Sequence, residues 1–150
     1  MLTFKIIEHQ SDEYQQTVEL RYQILREPLG LTFAPEQLQD EHNQYHIAGF
    51  ETNPDSQQKT LVCCLLFEKI DDQTLKMRQV AVKTDKQGQG IGKKLVDFAE
   101  QFARHHQYKR IVMSARLTAV PFYKTRQYAP TGLQYEEVGL EHFKMEKQLP

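Results

Sequence analysis

Val80-Ala81-Val82, followed after four residues by Gln87-Gly88-Gln89-Gly90-Ile91-Gly92-Lys93, decides how the chain is read. The first triplet ends Leu75–Val82, a stretch of alternating apolar and polar residues that reads as a strand. The second stretch opens an amphipathic pattern with Ile91, Leu95, Phe98, Ala99 and Phe102 on one stripe, which predicts a helix. A glycine-rich turn from a strand into a helix N-terminus brings backbone N–H groups and the positive end of the helix dipole together. Glycines admit positive φ and let the backbone approach closely, so the ligand this turn suits is a phosphate or pyrophosphate. Two common phosphate motifs fail by position. A dinucleotide fingerprint needs glycine where Lys93 stands, and the connection from the strand is too long for one. A nucleoside-triphosphate loop needs four residues between its glycines and then Lys-Ser/Thr, whereas Gly88 and Gly92 enclose three and Lys93 precedes Lys94. What remains is Gln-x-x-Gly-x-Gly behind a strand.

That strand, Leu75–Val82, changes phase along its length. Leu75 and Met77 are apolar at odd positions, Val80 and Val82 at even ones, and one extra residue between Met77 and Val80 would produce the slip, so a β-bulge is expected there. Downstream of the helix, Arg110–Ala115 is apolar enough to be a buried parallel strand, completing a βαβ unit. Upstream, Leu2–Ile7 reads as a strand and Asp12 with Gln15 as a helix start. Tyr14, Val18, Tyr22 and Leu25 carry that helix to a stop before Pro28. Gly30–Asn43 is a connection with room for one helical turn. Tyr45–Glu51 and Thr60–Phe67 are strands, and Asp71-Asp72-Gln73 closes a hairpin onto Leu75–Val82. A short helix is expected over about 119–126 and a last strand over about 142–147.

The 150 residues fit one domain, 1–150, able to bury about 68–70% of its unfolded surface without disulfide or structural metal. Nineteen Lys and Arg against 20 Asp and Glu give a net charge of −1, which removes the footprint of a general nucleic-acid binder. The longest apolar run, Leu61–Phe67, is seven residues, far below the ~20 that span a bilayer, so no membrane association is expected. No secretory leader is expected either, because Lys5 and Glu8 break the N-terminal apolar stretch. Adjacent Cys63 and Cys64 suit neither a bridge nor a zinc site and sit among Leu and Val. They read as core residues of a reduced, cytoplasmic protein.

The order strand, Gln87-x-x-Gly90-x-Gly92, helix, strand, then Ala119-Val-Pro-Phe122-Tyr123-Lys-Thr-Arg-Gln-Tyr128, resembles the GCN5-related N-acetyltransferase (GNAT) superfamily. The ending Gly132-x-x-Tyr135-x-Glu137-x-Gly139-Leu140-x-His142-x-x-Met145-x-Lys147 is similar to that of a small bacterial branch of it. The resemblance implies an α/β fold with a mixed, mostly antiparallel central sheet and flanking helices. It also implies acetyl-CoA as cosubstrate, no metal, and transfer of an acetyl group to a primary amine by direct attack. By the same resemblance, Val80, Ala81 and Val82 would contact the pantetheine arm through main chain, and Gln87, Gly88, Gln89, Gly90, Ile91, Gly92 and Lys93 would hold the pyrophosphate. Lys83, Lys86 and Lys94 surround that loop. Ala119 and Phe122 belong to the helix motif. Arg116 stands where many members have a cofactor-contacting Asn, and Gln127 where many have Gly.

Tyr123 resembles the family's general acid. An ordinary phenol of pKa about 10 protonates a thiolate whose thiol lies near 8.5 only when well placed. Glu41, Glu137 and His142 are the candidate bases, and Arg21, Arg26 and Arg78 candidate contacts for an anionic group of the acceptor. Asp40-Glu41-His42 with His46 has a spacing a metal could use, but none is expected. A non-catalytic acyl-CoA-binding or regulatory module on the same scaffold is the alternative reading. The acceptor, small molecule or peptide amine, would be selected by the first helix, the Gly30–Asn43 connection and the C-terminal strands, or by a second copy of the chain in a homodimer.

Overall fold

A computed structural model describes the whole chain except Leu133, Val138 and Gly139, and of Glu137 the backbone alone. The expectation of one domain meets a finer division. Residues pack as two compact units, Met1–Glu68 with Gln79–Ala99 and Lys69–Arg78 with Glu100–Pro150, so that three elements run from one unit into the other.

In the first unit β1 (Leu2–Ile7), β2 (Tyr45–Thr52) and β3 (Lys59–Asp71) pair antiparallel in that order. Gly49 lies opposite Cys63 and Phe50 opposite Leu61, so Val62 is an extra residue in β3. Its carbonyl accepts instead from the Lys83 N–H at 2.8 Å. α1 (Asp12–Arg21) starts one residue after its cap. Ser11, not Asp12, accepts from the Tyr14 N–H at 3.1 Å, while Asp12 and Glu13 sit in the first turn where the dipole favours acids. The buried face is Tyr14, Thr17, Leu20 and Arg21, whereas the expected Val18, Tyr22 and Leu25 are half-buried. Nor does the helix stop before Pro28. It widens into a π-helical turn over Tyr22–Arg26 and then a 3₁₀ turn, Glu27–Leu29, that takes Pro28 at its start, where a missing N–H costs nothing. The Gly30–Asn43 connection holds α2 (Pro35–Gln39) and a 3₁₀ turn, Asp40–Asn43. Ile7, Tyr14, Leu20, Ala48, Phe50, Leu61, Cys64 and Ala81 form the core here, each large apolar side chain contributing about 1.5–3 kcal/mol by burial.

In the second unit the first half of β4 (Thr74–Val82) pairs in parallel with β5 (Arg110–Arg116), with α3 (Ile91–His105) between them in the chain, as a βαβ unit requires. β5 pairs antiparallel with β8 (Leu140–Gln148), which also receives β6 (Ala129–Pro130) and β7 (Tyr135–Glu137) antiparallel. The fold is α/β with mixed, mostly antiparallel strands and flanking helices, as expected. β5 corrects one detail. It is not buried on both faces but alternates, with Ile111, Met113 and Ala115 buried and Val112 and Ser114 half-buried, because successive side chains of a strand point to opposite faces and one face is less covered than the other. A 3₁₀ turn, Leu117–Ala119, leads into α4 (Val120–Thr125).

The β4–β5 ladder ends at Met77 opposite Met113, and Gln79 takes φ 55°, a left-handed conformation that costs a non-glycine residue about 1–2 kcal/mol. The interruption expected between Met77 and Val80 is therefore present in the backbone.

Candidate active site

In the first unit the glycine loop leads from β4 through a 3₁₀ turn, Thr84–Lys86, to α3. Gly88 and Gly90 take φ +79° and +82°, and a Cβ on either would meet nothing within 4 Å. Glycine is needed there for the backbone conformation, not for packing. The first turn of α3 presents N–H groups that lack intrahelical acceptors, just past these two residues. Gln87, Gly88, Gln89 and Gly90 are exposed, and Ile91 roots the helix in the core at 6% exposure. The glutamines act as braces. Gln87 Nε2 donates to the Val82 carbonyl at 3.0 Å and Gln89 Nε2 to the Asp85 carbonyl at 3.3 Å, tying the loop to the chain that precedes it. Among the expected strand contacts Ala81 is buried while Val80 and Val82 are half-buried. Lys93 and Lys94 are exposed on the first turn of α3, and Lys86 reaches Glu51 at 3.4 Å. An anionic group suits this segment, with N–H groups, a helix dipole and lysines converging on it.

Glu41 and Arg21, expected separately as a base and an acceptor contact, are instead each other's partners. Arg21 Nη1 and Nη2 donate to Glu41 Oε1 and Oε2 at 2.9 and 2.6 Å, the Tyr14 hydroxyl adds a third bond at 2.8 Å, and both charged residues are buried. Both oxygens of this carboxylate are taken up by structural hydrogen bonds, almost without solvent contact. His46 Nε2 donates to the Glu41 carbonyl at 2.9 Å, and burial pushes its pKa below the ordinary histidine value. Tyr14 is pushed up, by burial first and then by Glu41. Phe33 lies between two guanidiniums, those of Arg21 at 4.9 Å and Arg26 at 4.8 Å. In an α-helix, residues five apart diverge by about 140°, and the wider π turn reduces that angle enough for both to face one ring. Sequence reasoning missed Phe33, placed Tyr14 only as a helix residue and weighed His46 only as a metal ligand. Its one available signal was that Arg21 falls two helical turns beyond Tyr14, on the buried face. Among the described residues no group of three or more His, Cys, Asp or Glu could hold a metal. Cys63 and Cys64 are core thiols, each pushed up to about 12 chiefly by burial.

The second unit holds Tyr123, Arg116, Ala119, Phe122, Arg78 and His142. Tyr123 and Val120 are the buried residues of α4, while Phe122 is half-buried and meets the Tyr123 ring edge-on at 5.0 Å. Burial alone pushes the Tyr123 phenol above the ordinary value. The N–H groups of Arg126 and Tyr128 both donate to the Tyr123 carbonyl at 3.0 Å, and Gln127 takes φ 68° between them. Gln127, where the resemblance expects glycine, thus takes a left-handed conformation that glycine adopts freely. The turn returns Tyr128 onto Tyr123, their rings 5.8 Å apart and nearly perpendicular.

His142 is buried on β8, opposite Arg116 of β5. A carbonyl only accepts, so the 2.9 Å contact from Nδ1 to the Leu140 carbonyl fixes the proton on Nδ1 and leaves Nε2 as the basic atom of the neutral ring. Tyr135 stacks obliquely on it at 5.9 Å and donates a hydrogen bond to Ser114. The side chain of Glu137 lies outside the described residues, as does Gly139 of the C-terminal motif. No helix among the described residues is long and apolar enough to cross a membrane.

A family model described as an acetyltransferase (GNAT) domain matches residues 35–149. The chain belongs to the GNAT acetyltransferases. Solved structures agree in fold over nearly the whole length. A Lactobacillus plantarum protein is 24% identical with TM-score 0.82, covering 99% of each chain. Escherichia coli ElaA is 20% identical with TM-score 0.81, covering 98% of this chain and 99% of its own. A GNAT family acetyltransferase from Elizabethkingia anophelis, solved with acetyl-CoA bound, is 15% identical with TM-score 0.72, covering 99% and 98%. The protein is therefore an acyl-CoA-dependent N-acyltransferase, of a family that acts on amine acceptors.

Proposed function

We propose that this GNAT enzyme moves an acetyl group from acetyl-CoA to a primary amine by direct attack, with Tyr123 as general acid and His142 as general base. The observation that carries the assignment of the base is the hydrogen bond from His142 Nδ1 to the Leu140 carbonyl, which leaves Nε2 as proton acceptor, whereas Glu41 is committed to Arg21. His142 Nε2 takes the proton of the ammonium substrate, directly or through water, so that the neutral amine can attack the thioester carbonyl. As the C–N bond forms the C–S bond breaks, Tyr123 gives its phenolic proton to the departing thiolate, and the surplus proton shed by the newly acylated nitrogen restores the Tyr123 hydroxyl, directly or through water. Burial makes Tyr123 a weaker acid than a free phenol but keeps it protonated, so its contribution depends on placement and falls late, as negative charge builds on sulfur.

Val80, Ala81 and Val82 would support the pantetheine arm through main chain, and Gln87 to Lys93 the pyrophosphate, with Arg116, Ala119 and Phe122 as further cofactor contacts. Arg26 and Arg78 would receive an anionic group of the acceptor. Tyr123→Phe should lower kcat by about 10²–10⁴-fold in a thiol-release assay across a panel of amines, while acetyl-CoA affinity by calorimetry stays unchanged. Because burial raises the phenol, the wild-type kcat should show no alkaline fall from Tyr123 up to pH ~10. Turnover by Tyr123→Phe within threefold of wild type would exclude the general-acid role.

A further inference from the structure

Lys147 stands near the end of β8 and is one of few ammonium groups in the second unit with most of its surface covered, its side chain 14% exposed. Its Nζ donates to Glu100 Oε1 of α3 at 2.8 Å and to the Arg126 carbonyl at 2.9 Å. It also lies 5.7 Å from the centre of the Tyr128 ring. Glu100 is 4% exposed, and Arg104 one helical turn on adds a longer contact at 3.7 Å. Three elements thus meet at one charge: a strand that supplies it, a helix that neutralises it, and the carbonyl that closes α4. That carbonyl belongs to the same turn whose N–H groups, from Arg126 and Tyr128, bind the Tyr123 carbonyl. A cation at a helix C-terminus also complements the dipole of α4.

We propose that Lys147 is a positioning residue for acyl transfer: its ammonium fixes the C-terminal turn of α4 against Glu100 and Tyr128 and so sets the orientation of Tyr123. This rests on the reading of Tyr123 as the general acid. Hydrogen bonding to a carbonyl does not require Lys147 in particular. A residue kept solely for stability would more readily be an apolar one, since a buried ion pair is often no better than a hydrophobic packing of equal volume. What the ammonium adds is direction, since one hydrogen bond holds the turn that follows Tyr123 and the other anchors it to Glu100 of α3. A misplacement of about 1 Å at a reacting group can cost ~10²-fold in rate.

Four variants test this: Lys147→Met, Lys147→Arg, Lys147→Met with Glu100→Gln, and Lys147→Met with Tyr123→Phe. Each is assayed for kcat, KM for acetyl-CoA and for one accepted amine, and thermal unfolding. Lys147→Met leaves the buried Glu100 with only the longer Arg104 contact and lowers stability. Adding Glu100→Gln removes the orphaned charge, so that a folded protein without the ammonium can be measured. The expected result is kcat at least tenfold below wild type in the Lys147→Met, Glu100→Gln protein with both KM values within twofold, recovery to within threefold in Lys147→Arg, and no further loss of kcat when Lys147→Met is added to Tyr123→Phe. Wild-type kcat in the folded double variant, or a loss that multiplies with that of Tyr123→Phe, would overturn the positioning role while leaving Tyr123 in place. Wild-type turnover in Tyr123→Phe alone would remove the acid reading and the positioning role with it.

Discussion

Replacing Arg21 by Met should reveal how much of the first unit depends on one buried charge pair. The side chains of Arg21 and Glu41 are 0% and 4% exposed, and their two hydrogen bonds of 2.9 and 2.6 Å leave no room for water between them. Taking each ion out of water costs several kcal/mol, which the fork-to-carboxylate geometry and the Tyr14 hydroxyl offset. Methionine fills much of the volume but leaves Glu41 charged, buried and bound only to Tyr14. The cost of such an orphaned charge is about 3–5 kcal/mol, to which the lost contact with Phe33 at 4.9 Å adds up to about 1 kcal/mol. Against a total of about 5–15 kcal/mol that is a large fraction, and for a chain of this size it should lower Tm by roughly 10 °C. The double variant Arg21→Met, Glu41→Leu removes both charges. The Tyr14 hydroxyl keeps the Leu38 carbonyl at 3.3 Å, and the His46 bond to the Glu41 backbone survives, so most of the loss should be recovered. Calorimetric and urea unfolding of the three proteins at pH 7 measure this. A single variant that loses less than 1 kcal/mol, or a double variant less stable than the single, would refute the account of a paired charge whose partner cannot stand alone.

Gly49→Ala places a Cβ 2.4 Å from Cys63 Sγ and 2.8 Å from Phe4 Cε1, so overpacking should cost about 1–3 kcal/mol. Adding Cys63→Ala should return part of it in urea melts. Gly90→Ala meets no atom but forces φ +82° on a residue with a side chain, at about 1–2 kcal/mol; its clearer effect should be weaker acetyl-CoA binding by calorimetry. His46 is buried with its pKa below the ordinary 6.5, chiefly by burial. The unfolded chain therefore takes up a proton near pH 6.5 while the folded chain does not, so its contribution is intact above that pH and is lost as pH falls below it. Urea midpoints between pH 7.5 and 5 should decline, and His46→Gln should remove part of that slope.

The elements that carry the family were readable because each is a local pattern. Gln87-x-x-Gly90-x-Gly92 ahead of an apolar stripe fixes a loop and a helix start by backbone chemistry alone. A phase change in Leu75–Val82 located the interruption that Gln79 makes with its positive φ. Element ends were less legible. The cap passed from Asp12 to Ser11, and α1 ran on through a π turn, because those choices depend on what the next turn packs against.

The roles of single charged residues divide the same way. The class of fold, the glycine loop and the candidate tyrosine and histidine were legible in the sequence, through local residue patterns and resemblance to the GNAT superfamily. Only the tertiary structure decided that Glu41 neutralises Arg21, that Glu100 and Lys147 meet beneath Tyr128, and that the Nδ1 of His142 is bonded to Leu140. Residues 20 and 47 positions apart along the chain come together in these pairs. Which carboxylate meets which cation is set by burial and by hydrogen-bond satisfaction, and a linear pattern encodes neither.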